Sequence, residues 1–338
     1  MSTSRDVARL AGVSQSTVSY VMSGKRPVAP ETEQRVREAM TELGYRPHAS
    51  ARALKSHRSG ILGLVAPFDE DTDTAGQYRY VVALAEAARA WGHELLVISG
   101  QEGIEGMERL LGSALCEGIL AMDVLHDDER VELARGSGMP CVFIGLSDHC
   151  DGVVATDTDF EEAGVSGLGL LAGRGHERIV LLNPASARVA AMGFTHRFTS
   201  AVLAAADQLG AGVEVVEVAH SYPAMARTLD GLTARGPAPE AFLVAPGVSP
   251  DDLINVLHHR GVVVGRDVSV VAARGSGRAR HSPVECTGFD ADVVAVAATA
   301  VRLLVEQLDP QASRPDGPVL VPAVFRPGES LVPASFAS

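Results

Sequence analysis

The chain reads as an α/β protein with a small all-α head, and three observations predict that arrangement. The first 47 residues hold three short amphipathic helices around a glycine turn. From residue 59 to 338, apolar runs of strand length alternate with helical stretches. Between the two, residues 48–58 are basic and helix-forming, yet too short to be a stable helix alone. A length of 338 residues exceeds one ordinary core, so a head of 1–47, a hinge of 48–58 and a body of 59–338 are expected.

The elements of the head follow in order. Thr3 with Asp6 is a capping-box start for the first helix, with Val7, Leu10 and Ala11 on one face. Gly12 can take a positive φ and is expected to stop it. Ser14 caps a second helix, whose Val18, Val21 and Met22 repeat at helical spacing. Pro30 opens a third, with Val36, Ala39, Met40 and Leu43 as its inner stripe, and Gly44 ends it. Such stripes alone would also satisfy a generic three-helix bundle. Against that reading, the outer side of the second helix is short and polar: Gln15, Ser16, Ser19 and Tyr20. Those side chains suit base edges and phosphates, so the helix–turn–helix is expected to place its second helix in a DNA major groove.

Charge supports that reading once it is divided along the chain. The net charge is −13, but residues 1–60 carry ten Lys and Arg against five Asp and Glu, leaving 19 basic and 37 acidic groups elsewhere. A basic head on an acidic body predicts a polyanion docked on the head alone. In the hinge, Leu54 stands apolar among Arg52, Lys55 and Arg58, which suits a wedge between base pairs of the minor groove in a segment that folds on DNA. The bland alternative is a linker with its leucine packed on the next domain.

These segments carry a family resemblance. Asp6-Val7-Ala8-Arg9-Leu10-Ala11-Gly12-Val13-Ser14, Thr17-Val18-Ser19, Glu42-Leu43-Gly44-Tyr45-Arg46-Pro47 and Ala51-Arg52-Ala53-Leu54 resemble the LacI/GalR family of bacterial transcription regulators, over essentially the whole chain. The resemblance implies that Gln15, Ser16 and Tyr20 read the major groove, while Thr17 and Tyr45 contact phosphates. It implies that Leu54, flanked by Arg52 and Lys55, intercalates at the centre of a pseudo-palindromic operator beside Leu54 of a second subunit. Many members have Arg where Tyr20 stands, and a tyrosine cannot make the bidentate guanine contact of an arginine.

In the body, strands are expected at Ile61–Ala66, Leu95–Ser99, Gly118–Met122, Cys141–Gly145, Val153–Thr156, Ile179–Asn183, Val213–Val218, Ala241–Ala245 and Ser269–Ala273. Helical stretches between them include Tyr80–Trp91, Glu105–Leu115, Phe160–Ala172, Arg197–Leu209, Pro250–His259 and Ala291–Leu308. This alternation predicts two parallel-sheet lobes. The resemblance adds a type I periplasmic-binding-protein-like body: a small-molecule effector in the cleft, a last helix returning to the first lobe, and a homodimer through that lobe's outer face.

The cleft departs from its family. Asp157 matches the family's acidic residue, but the gripping arginine before Gly193-Phe194 is Ala190. An Asn-Asp pair is replaced by Ala245-Pro246, and an expected acid by Arg274. The loop Phe68–Gln77 is long and acidic. With Asp157 and Arg274 as effector contacts, the charge reversal predicts an acidic ligand such as a sugar acid or phosphorylated metabolite. The alternative is that Arg274 pairs with a neighbouring acid and the cleft holds no tight ligand.

Other classes find little support. No P-loop, GxSxG elbow or His-Glu-x-x-His helix occurs, so no enzyme is expected. A solute-binding protein would lack the head and carry a signal peptide. The polar N-terminus, and a Val293–Val305 run broken by Arg302, predict a cytoplasmic protein, on the nucleoid when DNA-bound, with no membrane contact. Cys116, Cys141, Cys150 and Cys286 are scattered, so free thiols, no metal and no cofactor are expected.

Overall fold

A computed structural model describes residues 2–23, 26–45, 59–66, 74–99, 103–113, 115–274, 282–309 and 311–332. The hinge, with Arg52, Leu54 and Lys55, lies outside them, as does most of the Phe68–Gln77 loop. The chain divides into two compact units, Met1–Ser59 and Gly60–Ser338.

The head packs α1 (Ser4–Ala11), α2 (Gln15–Ser23) and α3 (Pro30–Glu42) around Val7, Val18 and Val36, with Ala8, Ala11 and Ala39 beside them. The capping box forms as its residues require: the Asp6 N–H donates to the Thr3 hydroxyl and the Asp6 carboxylate accepts the Thr3 N–H. Those bonds to Thr3 hold the Asp6 carboxyl below its ordinary range. Gly12 takes φ 65° and closes α1, a conformation that a Cβ disfavours. One expectation fails here. Leu10 is 45% exposed, because Val7, Ala8 and Ala11 form the inner stripe and Leu10 falls roughly 100° away from its centre on a 3.6-residue helix.

The body holds two six-stranded sheets. Through the first lobe run β1 (Ile61–Ala66), α4 (Thr74–Ala90), β2 (Glu94–Ser99), α5 (Gly103–Leu111), β3 (Gly118–Met122), α6 (Arg130–Ser137), β4 (Cys141–Ile144) and β5 (Val154–Thr158). The chain then crosses to α7 (Phe160–Ala172), β6 (Arg178–Pro184), α8 (Ala187–Ala190), α9 (Gly193–Leu209), β7 (Gly212–Val218), α10 (Tyr222–Arg235), β8 (Ala241–Val244), α11 (Pro250–His259), β9 (Ser269–Arg274) and β10 (Thr287–Asp290). It returns with α12 (Val293–Gln307) and β11 (Val319–Val321), and crosses a third time to β12 (Val324–Arg326).

Strand orders are β11-β5-β4-β3-β1-β2 and β12-β10-β9-β8-β6-β7, parallel except for β12 against β10. Central strands such as β3 and β9 are buried along their whole length, as apolar runs covered on both faces must be. The edge strand β7 turns Glu214 and Glu217 outward, which blunts edge-to-edge pairing. As expected, the last long helix returns to the first lobe: Val293, Val296, Ala300 and Leu304 of α12 share a core with Leu62, Leu84 and Leu120.

Strands β10, β11 and β12 carry no pattern that would announce them. They are three or four residues long and are held by the strands beside them. Cys116, Cys141 and Cys286 are buried free thiols, and Cys150 is half-buried.

Candidate nucleic-acid interface and inter-lobe site

On the head, α2 begins where Ser14 Oγ accepts the Thr17 N–H at 3.1 Å, satisfying an otherwise orphaned donor. Thr17 is half-buried and shares its hydroxyl with Ser14 at 2.9 Å. Gln15 and Ser16 are exposed, and the Gln15 amide donates to Ser4 Oγ at 2.8 Å, tying α2 to the start of α1. Tyr20 is 36% exposed on the same helix. Val18 faces inward and is fully buried, which fixes this polar face outward. Tyr45 packs half-buried against the head core after Gly44 at φ 57°. The structure thus brings Gln15, Ser16 and Tyr20 onto one helix. It also places Arg26, a residue that entered the sequence reading only as a charge, with its guanidinium 5.5 Å from the centre of the Tyr20 ring.

In the body, the strand ends of the first lobe gather a polar cluster. Asp157, on β5, is buried; its Oδ1 accepts the Thr158 N–H at 2.8 Å and its Oδ2 accepts from Arg197 of α9. Arg197 also approaches Glu161 at 3.5 Å. Burial pushes the Asp157 carboxyl up to about 6, with the Arg197 charge and the Thr158 bond acting in the opposite direction. Burial and the Asp157 charge likewise push the Tyr80 phenol up.

Nearby, Asp123 stands at φ 51°, a left-handed conformation uncommon outside glycine. Its carboxylate accepts from the Gln77 amide, and its carbonyl accepts from Arg130 at 3.0 Å. Arg130 is itself fixed by a buried ion pair with Asp128 at 2.7 Å.

The lobes also meet through main chain. Gly193 N–H donates to Val124 O at 2.9 Å and His126 N–H donates to Ala191 O at 2.8 Å, around an antiparallel bridge between Leu125 and Met192. A Cβ on Gly193 would stand 1.8 Å from Leu146 O, so glycine is required for this approach. The rings of His126 and His196 stack at 4.8 Å beside this seam, with His126 Nδ1 3.2 Å from Asp148.

The two effector contacts expected from the sequence fare differently. Asp157 lies in the cluster just described. Arg274 does not supply the free positive charge that its position suggested. It is buried at the end of β9 and its Nε donates to Asp290 Oδ1 at 2.6 Å, with Arg326 at 3.4 Å from the other oxygen. The expected acidic ligand therefore loses its anchor, because a neighbouring carboxylate already matches the charge. Ala190 ends the short α8, and Ala245 and Pro246 are buried, so neither replaced position offers a side-chain donor.

Arg197 escaped the sequence reading. Its one signal is a lone guanidinium between Phe194 and Phe198 on the inward side of an amphipathic helix. Among the described residues, no group of three or more His, Cys, Asp or Glu is placed to hold a metal ion, and no helix is long and apolar enough to cross a membrane.

Residues 3–48 match the family description "Bacterial regulatory proteins, lacI family", and residues 168–331 match "Periplasmic binding protein-like domain". The chain is 29% identical over 325 residues to the HTH-type transcriptional regulator CelR of Thermobifida fusca, covering 91% of this chain and 92% of the relative. Its fold is similar to that of the Lac repressor dimer bound to operator and the anti-inducer ONPF, with a TM-score of 0.83 at 23% identity, covering 98% of this chain and 99% of the other. It is also similar to a transcriptional regulator CelR–cellobiose complex, with a TM-score of 0.68 at 24% identity, covering 98% and 100%. Head and body together define a helix–turn–helix, DNA-binding transcriptional regulator with a periplasmic-binding-protein-like body. Residues 3–48 form a helix–turn–helix head of the lacI type, and the relatives that the chain matches over its length are LacI-family regulators.

Proposed function

We propose that this regulator is a repressor that binds a pseudo-palindromic, double-stranded operator as a homodimer, gated by a small molecule between the lobes. The observation that carries the proposal is the joining of two sites in one chain. One is a helix exposing Gln15, Ser16 and Tyr20; the other is a two-lobed body whose halves meet at the Asp157–Arg197 ion pair. Thr17 and Tyr45 serve as phosphate contacts, and Arg52, Leu54 and Lys55 act at the operator centre. A group that fills the cleft must compete with Asp157–Arg197 and thereby shifts the balance between lobe arrangements. The protein acts in the cytoplasm and performs no catalysis.

The polar cluster favours a neutral, hydroxyl-bearing effector over an acid. Asp157 and Glu161 share the single guanidinium of Arg197, and Arg274 is committed to Asp290. The relative solved with cellobiose agrees with that choice. A second reading, a regulator whose cleft takes no ligand, is favoured by the main-chain bonds that already join the lobes at Gly193 and His126.

DNA selected from a random pool by the full-length protein, then rebound at two salt concentrations with neutral sugars, sugar acids or phosphorylated metabolites, tests these statements together. The expected result is a symmetric site whose affinity falls with salt and changes with a neutral sugar. Binding at neither salt contradicts the DNA reading. A response to acids alone contradicts the neutral effector, and no response to any compound favours the second reading.

A further inference from the structure

The DNA-facing helix carries no charge of its own: Gln15–Ser23 contains neither a basic nor an acidic side chain. Yet a guanidinium stands on it. Arg26 lies past the end of α2, and its Cζ sits 5.5 Å from the centre of the Tyr20 ring. Two other head arginines are paired locally, Arg9 with Asp6 and Arg37 with Glu33. Arg26 is exposed and, among the described residues, makes no ion pair.

The chemistry of that arrangement is specific. A guanidinium over an aromatic face is held by the ring's electrostatics and still has N–H donors to offer a second partner. A planar fork of donors matches the O6 and N7 acceptors of guanine, whereas a phenol offers one hydroxyl. Holding a long side chain on a ring also removes rotamer freedom before binding, so less is lost on contact.

We propose that Arg26, carried on the Tyr20 ring, is the base-reading arginine of this head, taking a bidentate contact with guanine. Tyr20 is its positioning residue. The inference rests on the reading of α2 as the DNA-facing helix. It deepens that reading by assigning a base and by adding a residue outside the helix.

The test uses full-length protein and the site it selects from random DNA, with each base pair of the half-site replaced in turn. Failure to select any site overturns the DNA reading itself and is seen with the unaltered protein, before any variant is made. The proposal expects one G·C pair per half-site whose replacement weakens binding about tenfold or more. Arg26→Lys and Tyr20→Leu should both lose that preference while keeping preferences at the other positions. Tyr20→Phe, which keeps the ring, should retain it. Thermal melts check that the variants stay folded, as exposed positions should.

Three results overturn the proposal. One is an Arg26→Lys variant with the preference intact. Another is Tyr20→Phe losing the preference while Arg26→Lys keeps it. The third is Arg26→Ala weakening all sequences equally with a shallower salt dependence, which marks a phosphate contact.

Discussion

The head and the body handle charge in opposite ways. No charged side chain among the described head residues is buried; its core is six apolar side chains, and its ionic groups lie outward. The body buries Asp128, Arg130, Asp157, Arg274 and Asp290, each in a pair. An outward charge serves long-range attraction to a polyanion. A buried pair is stable only while both partners keep their places. The pair that spans the lobes, Asp157 with Arg197, therefore ties electrostatics to lobe geometry, whereas Arg274 with Asp290 joins adjacent strands of one sheet and does not.

The sharpest way to break this comparison is Arg197→Ala. It leaves a carboxylate buried without its cation, a change that costs about 3–5 kcal/mol in such sites. Denaturant unfolding should show the body weakened by that order. The double variant Asp157→Asn with Arg197→Met should recover much of the loss; equal losses in both would mean that burial geometry, not charge pairing, holds the seam.

Acidity gives a second, smaller effect on the same residue. The Asp157 carboxyl is raised to about 6 in the folded protein against 3.8 unfolded. The folded state thus binds this proton more tightly. Its contribution is full below pH 3.8 and is lost as pH rises through 6, by on the order of 3 kcal/mol. The stability of the protein relative to Asp157→Asn should accordingly fall between pH 4 and 7. A pH-independent difference would show that Asp157 titrates as an exposed carboxyl.

In the head the expected effect is smallest. Ser14→Ala removes the cap of α2 and should weaken the head by about 1 kcal/mol while leaving the body unchanged. Hydrogen exchange of α2 and of β-strand amides separates the two. Equal changes in both would deny that the units are independent.

Legibility in the sequence follows the same division. The head is built from contacts between near neighbours, so caps, turn glycine and stripes were readable, and Leu10 was misplaced only because Ala8 fills the inner face. Strands β1 to β9 announced themselves as apolar runs. Strands β10 to β12 did not, since neighbouring chain segments determine such short pieces. The cleft was least legible. Arg197 meets Asp157 across 40 positions, and Arg274 is cancelled by Asp290, which lies 16 residues on. Neither cancellation nor contact leaves a local pattern.

The central claim is that the head writes on DNA what the body senses. The most direct measurement is the affinity of the full-length protein for its selected site against scrambled DNA, titrated with a panel of neutral sugars. The account predicts strong preference for a symmetric site, and a change in affinity of at least about tenfold with one neutral ligand, a shift of about 1.4 kcal/mol typical of allosteric coupling. Equal binding to scrambled DNA, or an affinity that no ligand moves, would contradict it.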